Sequence, residues 1–133
     1  MKTMRRMLAV MAAVVLLLTF NPAAHALSVT SQFNTPLYIT INPGETKPVM
    51  YAMTNGQNYT LVRAQVENLS TSGIVSGDYY VVKSGYQYHV GSFSTASSKT
   101  IGIAYYSPPY NGLILLRSEN TTSPITVRVT FMP

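Results

Sequence analysis

From Leu27 onward the chain is dominated by period-two alternation of apolar and polar residues, and no stripe of helical spacing survives there. The final segment shows the period most cleanly. Ile125, Val127, Val129 and Phe131 point one way and Thr126, Arg128 and Thr130 the other, which predicts one buried face and one wet face. Leu113-Ile114-Leu115-Leu116 is apolar without a break and predicts a central strand covered on both sides. Residues 100–106 predict another strand, with Ile101, Ile103 and Tyr105 sharing a face. Such a pattern confines the chain to an all-β fold.

Turn chemistry cuts these segments apart. Proline presets φ and glycine accepts φ > 0, so Asn42-Pro43-Gly44 predicts a turn. Asn55-Gly56, between residues 49–53 and 59–66, predicts a hairpin, and Ser84-Gly85 predicts a second one between 79–83 and 86–90. Residues 68–73, 107–112 and 119–123 read as surface loops. About eight or nine short strands at close spacing predict a single antiparallel β-sandwich over residues 27–133. No internal repeat or linker interrupts it.

The first 26 residues follow different rules. Lys2, Arg5 and Arg6 precede an apolar run over residues 7–20, and Ala24-His25-Ala26 supplies the small-x-small pattern of a signal peptidase site. Residues 1–26 are therefore expected to be a cleaved signal peptide. The run of 14 residues is shorter than the roughly 20 a spanning helix needs. No stable membrane span is expected after cleavage, and the protein is expected to be secreted or associated with the cell envelope.

Cleavage changes the charge balance. Six basic and four acidic residues remain, a net charge of +2 among 107 residues, which argues against a nucleic-acid partner. Ten charged residues in 107 lie well below the roughly 25% of an ordinary soluble domain. Twenty-six Ser and Thr, seven Asn and ten Tyr take their place, so the surface is hydroxyl and amide rather than charge. No cysteine is present, and the fold must stand without disulfides.

Several stretches in the second half share a pattern: Gly77-Asp78-Tyr79-Tyr80-Val81-Val82-Lys83-Ser84-Gly85, Ser98-Lys99-Thr100-Ile101, Ile114-Leu115-Leu116-Arg117 and Ile125-Thr126-Val127-Arg128-Val129. In this order residues 77–131, about half of the mature chain, resemble the bacterial pre-peptidase C-terminal type of β-sandwich. The resemblance implies a sandwich architecture and a module that assists export or binds substrate beside a secreted hydrolase. Of that family's acidic pair before the glycine-turn strand only Asp78 is in place, so no calcium site follows.

Catalytic chemistry finds few residues to work with. A Ser-His-Asp device needs a histidine held between nucleophile and carboxylate, and His89 is the single histidine after residue 26. It lies in the predicted strand 86–90, on the side of Gln87 and away from Tyr86 and Tyr88, and reads as a strand-surface residue. No Gly-x-Ser-x-Gly elbow occurs. Glu45, Glu67, Asp78 and Glu119 each lie in or beside a predicted turn, with no reason to face one glycosidic bond. One histidine without cysteine builds no structural zinc site, and no loop carries two acids for calcium. The glycines lie singly at turns rather than in a phosphate loop. The chain is expected to be no enzyme, with no catalytic residue, no metal and no cofactor. Three glycosylation sequons, at Asn58, Asn68 and Asn120, are matches that a Ser/Thr-rich chain produces by chance.

The tyrosines carry the one functional expectation. Tyr79, Tyr80, Tyr86 and Tyr88 fall in one predicted hairpin, and Tyr105, Tyr106 and Tyr110 surround Pro108-Pro109. Tyrosine is a good strand residue in its own right. Alternation nevertheless sends one of each adjacent pair outward, where a flat ring bearing a hydroxyl suits stacking on sugars or a protein interface. Tyr80, Tyr86, Tyr88, Tyr106 and Tyr110 are the expected binding face. The favoured reading is an exported, non-enzymatic sandwich that binds cell-envelope or matrix polysaccharide, or a protein partner, itself included. A structural subunit is the alternative: residues 27–33, set off by Asn34-Thr35-Pro36, would complete a neighbour's sheet as in strand-addition assembly. A secreted antimicrobial or inhibitor is the third.

Overall fold

The computed structural model describes residues 27–133, and the expected signal peptide lies outside the described residues. The alternation of the last segment becomes a strand in which Ile125, Val127, Val129 and Phe131 are buried and the residues between them half-buried. In chain order the strands are β1 (Ser28–Thr30), β2 (Leu37–Ile41), β3 (Thr46–Ala52), β4 (Leu61–Asn68), β5 (Ile74–Lys83), β6 (Tyr86–Thr95), β7 (Ser98–Ala104), β8 (Asn111–Glu119) and β9 (Ile125–Met132). They form a five-stranded sheet, β1-β3-β8-β5-β6, and a four-stranded sheet, β2-β9-β4-β7. No helix occurs among the described residues, and so none long and apolar enough to cross a membrane.

The sheets meet face to face. Val49, Tyr51, Ile114, Leu116, Val75, Val81 and Phe93 come from the larger sheet; Ile39, Ile41, Val62, Ala64, Val66, Ile101 and Ile103 join the β9 residues from the smaller. This is the β-sandwich the sequence predicts. β8 is central in its sheet, and Leu113, Ile114 and Leu116 are buried, as an uninterrupted apolar run should be. Of the connections between successive strands only Ser84-Gly85 joins neighbours in one sheet. Ser84 and Gly85 both take positive φ, 53° and 79°, the type I′ geometry whose twist matches a two-residue hairpin.

Three expectations need correction. Asn55-Gly56 does not make a hairpin, because β3 and β4 belong to different sheets. Gln57 ties the connection down instead, its side-chain oxygen accepting from the Tyr51 hydroxyl and from the Thr54 amide, both at 3.0 Å. Tyr51 and Val62 can then face each other across the core, a position two strands of one hairpin could not both reach. The N-terminal segment is not detached. β1 pairs parallel with β3, the Phe33 ring stacks on Tyr51 at 4.6 Å, and the Asn34 amide donates to the Phe131 carbonyl at 2.8 Å. This segment completes the chain's own sheet. Finally, β7 stops at Ala104, two residues short of the predicted strand, although Tyr105 still packs against the core beside Ile101 and Ile103 and Tyr106 faces out.

Candidate functional site

The β5–β6 hairpin pairs along nearly the whole length of both strands, and its two faces carry different chemistry. Across it Val81 faces Tyr88 and Lys83 faces Tyr86, which puts Tyr86, Tyr88 and Lys83 on the side turned toward the other sheet. Their strand runs past the end of β7, however, and the rings overhang the core. Tyr86 is 66% exposed and Tyr88 45%. The connection 105–110 fills the space beside them.

Tyr105 organises this end of the molecule. Its ring stacks on Tyr88 at 5.8 Å with an interplanar angle of 18°, lies 4.7 Å from Tyr106 and meets Tyr110 edge-on at 5.8 Å. Tyr86 extends the row, 6.3 Å from Tyr88. A hydrogen bond with Tyr106, ahead of burial, raises the Tyr105 phenol above its ordinary value. The Lys83 ammonium donates to the Ser107 carbonyl and sits 5.7 Å from the Tyr105 ring centroid, so one cation both anchors the loop and faces the aromatic surface. A cis bond joins Pro108 to Pro109 in this loop.

The five tyrosines expected to bind are thus divided. Tyr86, Tyr88 and Tyr106 come together, and Tyr106 stands 84% exposed. Tyr110 lies beneath them, 3% exposed, its hydroxyl donating to the Ile103 carbonyl at 2.9 Å, and burial pushes its phenol up to about 12. It is the floor of the cluster rather than its surface. Tyr80 lies on the opposite face of the hairpin, across from His89. Sequence reasoning missed Tyr105 and Lys83. Alternation sent Tyr105 inward, and its ring does pack against the core while Tyr106 faces out; what the sequence did not show is that the Tyr105 ring, just past the end of β7, also stacks on Tyr88. Lys83 was readable, since it shares strand parity with Val81 and pairs with Tyr86.

The other face of the hairpin holds a polar group that the sequence did not join. The Asp78 carboxylate accepts from the Ser92 hydroxyl through Oδ1 and from Arg117 Nη1 through Oδ2 at 2.9 Å. His89 Nε2 lies 3.5 Å from Asp78 Oδ1 and 3.4 Å from Ser92 Oγ. The Tyr80 ring meets His89 edge-on at 5.2 Å. The Ser92 and Arg117 hydrogen bonds hold the Asp78 carboxyl below the usual carboxylate range, and burial raises the Tyr80 phenol. A β-bulge between Tyr79 and Tyr80 sets this register: without it Asp78, His89 and Ser92 would not converge. Although Ser, His and Asp meet here, the order is wrong for a relay. The serine proton goes to the carboxylate, and both groups approach the same ring nitrogen, whereas a triad places them on opposite nitrogens.

No family model matches the sequence, and no curated protein matches it. Solved structures do. A mitogen from Yersinia pseudotuberculosis superposes with a TM-score of 0.54 at 9% identity, covering 76% of this chain and 86% of that one. The pre-peptidase C-terminal domain of a Bacillus anthracis collagenase superposes with a TM-score of 0.51 at 11% identity, covering 81% of this chain and 96% of the domain. The architecture is therefore the one the sequence resemblance implied. At these identities the likeness is one of fold.

Proposed function

We propose that this protein is an exported, non-enzymatic binding module whose charge-poor tyrosine end takes up cell-envelope or matrix polysaccharide. The observation that carries the reading is the continuous row of rings from Tyr86 through Tyr88 and Tyr105 to Tyr106, three of which stand largely in solvent. Leaving such rings in water forgoes the stabilisation that burial would bring, and stacking on the apolar face of a pyranose recovers it. Tyr110 and Lys83 hold the platform in shape before ligand arrives, which lowers the ordering cost of binding. Ser92, the serine nearest the histidine, has its hydroxyl proton engaged by Asp78, which supports binding rather than hydrolysis.

Sedimentation with purified cell walls and insoluble polysaccharides tests this. The exported protein, expected to begin at Leu27 by N-terminal sequencing, should co-sediment with at least one of them. Tyr88→Ala and Tyr106→Ala should each weaken retention about tenfold or more, on the scale of one lost stacking contact. Retention unchanged by both substitutions would overturn the tyrosine reading.

A further inference from the structure

On the outer face of the five-stranded sheet, away from the tyrosine end, the ladder places three successive rows of side chains across β8, β5 and β6. Arg117 faces Ser76, Leu115 faces Asp78 beside Ser92, and Leu113 faces Tyr80 beside His89. Arg117 from the first row joins Asp78, Ser92, Tyr80 and His89 from the second and third to form the ion-paired cluster already described. Its hydrogen-bonding capacity is only partly used. Arg117 spends one nitrogen on Asp78, and the Ser76 hydroxyl oxygen, buried next to Arg117, has no partner among the described residues. A buried hydroxyl left unpaired costs stability, and such orphans mark places where something else completes the network.

We propose that Tyr80, Asp78, Arg117, His89 and Ser92 form a second binding site, on the outer face of the sheet, for one ring of a neutral sugar. Charge decides the first part. The Asp78 carboxylate is neutralised by Arg117, so neither an anion nor a cation gains a net partner without breaking that pair. Hydrogen-bond polarity decides the second. Arg117 offers donors only, Asp78 acceptors only, and Ser92 and His89 both, all within a few ångströms of one another. A ligand that donates and accepts from adjacent atoms satisfies that mixture, and the vicinal hydroxyls of a sugar do so. The half-buried Tyr80 ring supplies the flat apolar wall that a pyranose needs beside its polar contacts. None of these residues belongs to the tyrosine end, so the inference stands whether or not that end binds polysaccharide.

The test uses the exported protein on an array of neutral and acidic glycans. The strongest neutral binder is then titrated by NMR while the His89 imidazole resonance is followed, identified by its loss in His89→Gln. Binding to a neutral glycan should shift that resonance, fall about tenfold or more in Asp78→Asn and in Ser92→Ala, and persist in Tyr106→Ala. Ser92→Ala removes one exposed hydroxyl and keeps the fold testable if Asp78→Asn disturbs it. Three results overturn the site: no neutral glycan bound, glycan binding that leaves the His89 resonance unmoved, or binding insensitive to Ser92→Ala. Glycan binding abolished by Tyr106→Ala alone would instead support the tyrosine end and reject this site.

Discussion

β9 and β6 are built from the same kind of residues and end in opposite circumstances. Each alternates aromatic or β-branched residues with polar ones. In β9 Ile125, Val127, Val129 and Phe131 are all buried, and Phe131 is 0% exposed; in β6 only Phe93 is buried, while Tyr86 and Tyr88 stand in water. The difference lies in what stands opposite. β9 is flanked by β2 and β4 and faced along its length by the larger sheet, whereas β6 is an edge strand that outruns β7. Strand chemistry therefore states which residues share a face, and the position of the strand in the sandwich states whether that face is core or surface.

The contrast predicts a graded set of stability effects. Phe131→Ala empties a fully buried site and should lower the unfolding free energy by about 3–5 kcal/mol in a denaturant titration. Tyr110→Phe keeps the ring and removes only the buried hydroxyl with its bond to the Ile103 carbonyl; about 1 kcal/mol should be lost. Tyr86→Ala should change stability by no more than about 0.5 kcal/mol, since the ring is mostly in solvent. A loss of more than about 2 kcal/mol there would mean that the tyrosine row is core and not surface.

Acid stability separates the two faces of the hairpin as well. The folded Asp78 carboxyl titrates below its unfolded value of 3.8, so its contribution is full above that value and is lost as pH falls through the lower, folded one. Stability measured from pH 6 down to pH 2 should drop more steeply in the native protein than in Asp78→Asn. Equal slopes would show that the Arg117 and Ser92 contacts do not hold in solution.

Much of this fold was legible before any coordinates. The alternation of residues 125–131, the apolar run 113–116 and the Ser84-Gly85 turn each appear where expected, because each depends on local backbone geometry and on nothing distant. Asn55-Gly56 misled because turn chemistry reports that the chain bends and not which sheet it enters afterwards. The tyrosine end was half legible. Tyr86, Tyr88 and Tyr106 lie together, Tyr110 proved to be the floor beneath them, and Tyr105, packed against the core just past the end of β7, links them by stacking on Tyr88.

The Asp78, His89, Ser92 and Arg117 group was not legible at all. Its members lie on three strands and are brought together by a bulge that shifts the register by one residue. By itself the sequence determined the strand periods, the turns, the charge-poor surface and the all-β class, all consequences of side-chain spacing and local dihedral preference. Only the tertiary structure decided which strands became edges, which tyrosines stayed in water and which polar groups met. Those outcomes depend on pairing between residues far apart in the chain, where a one-residue change of register moves a side chain to the other face.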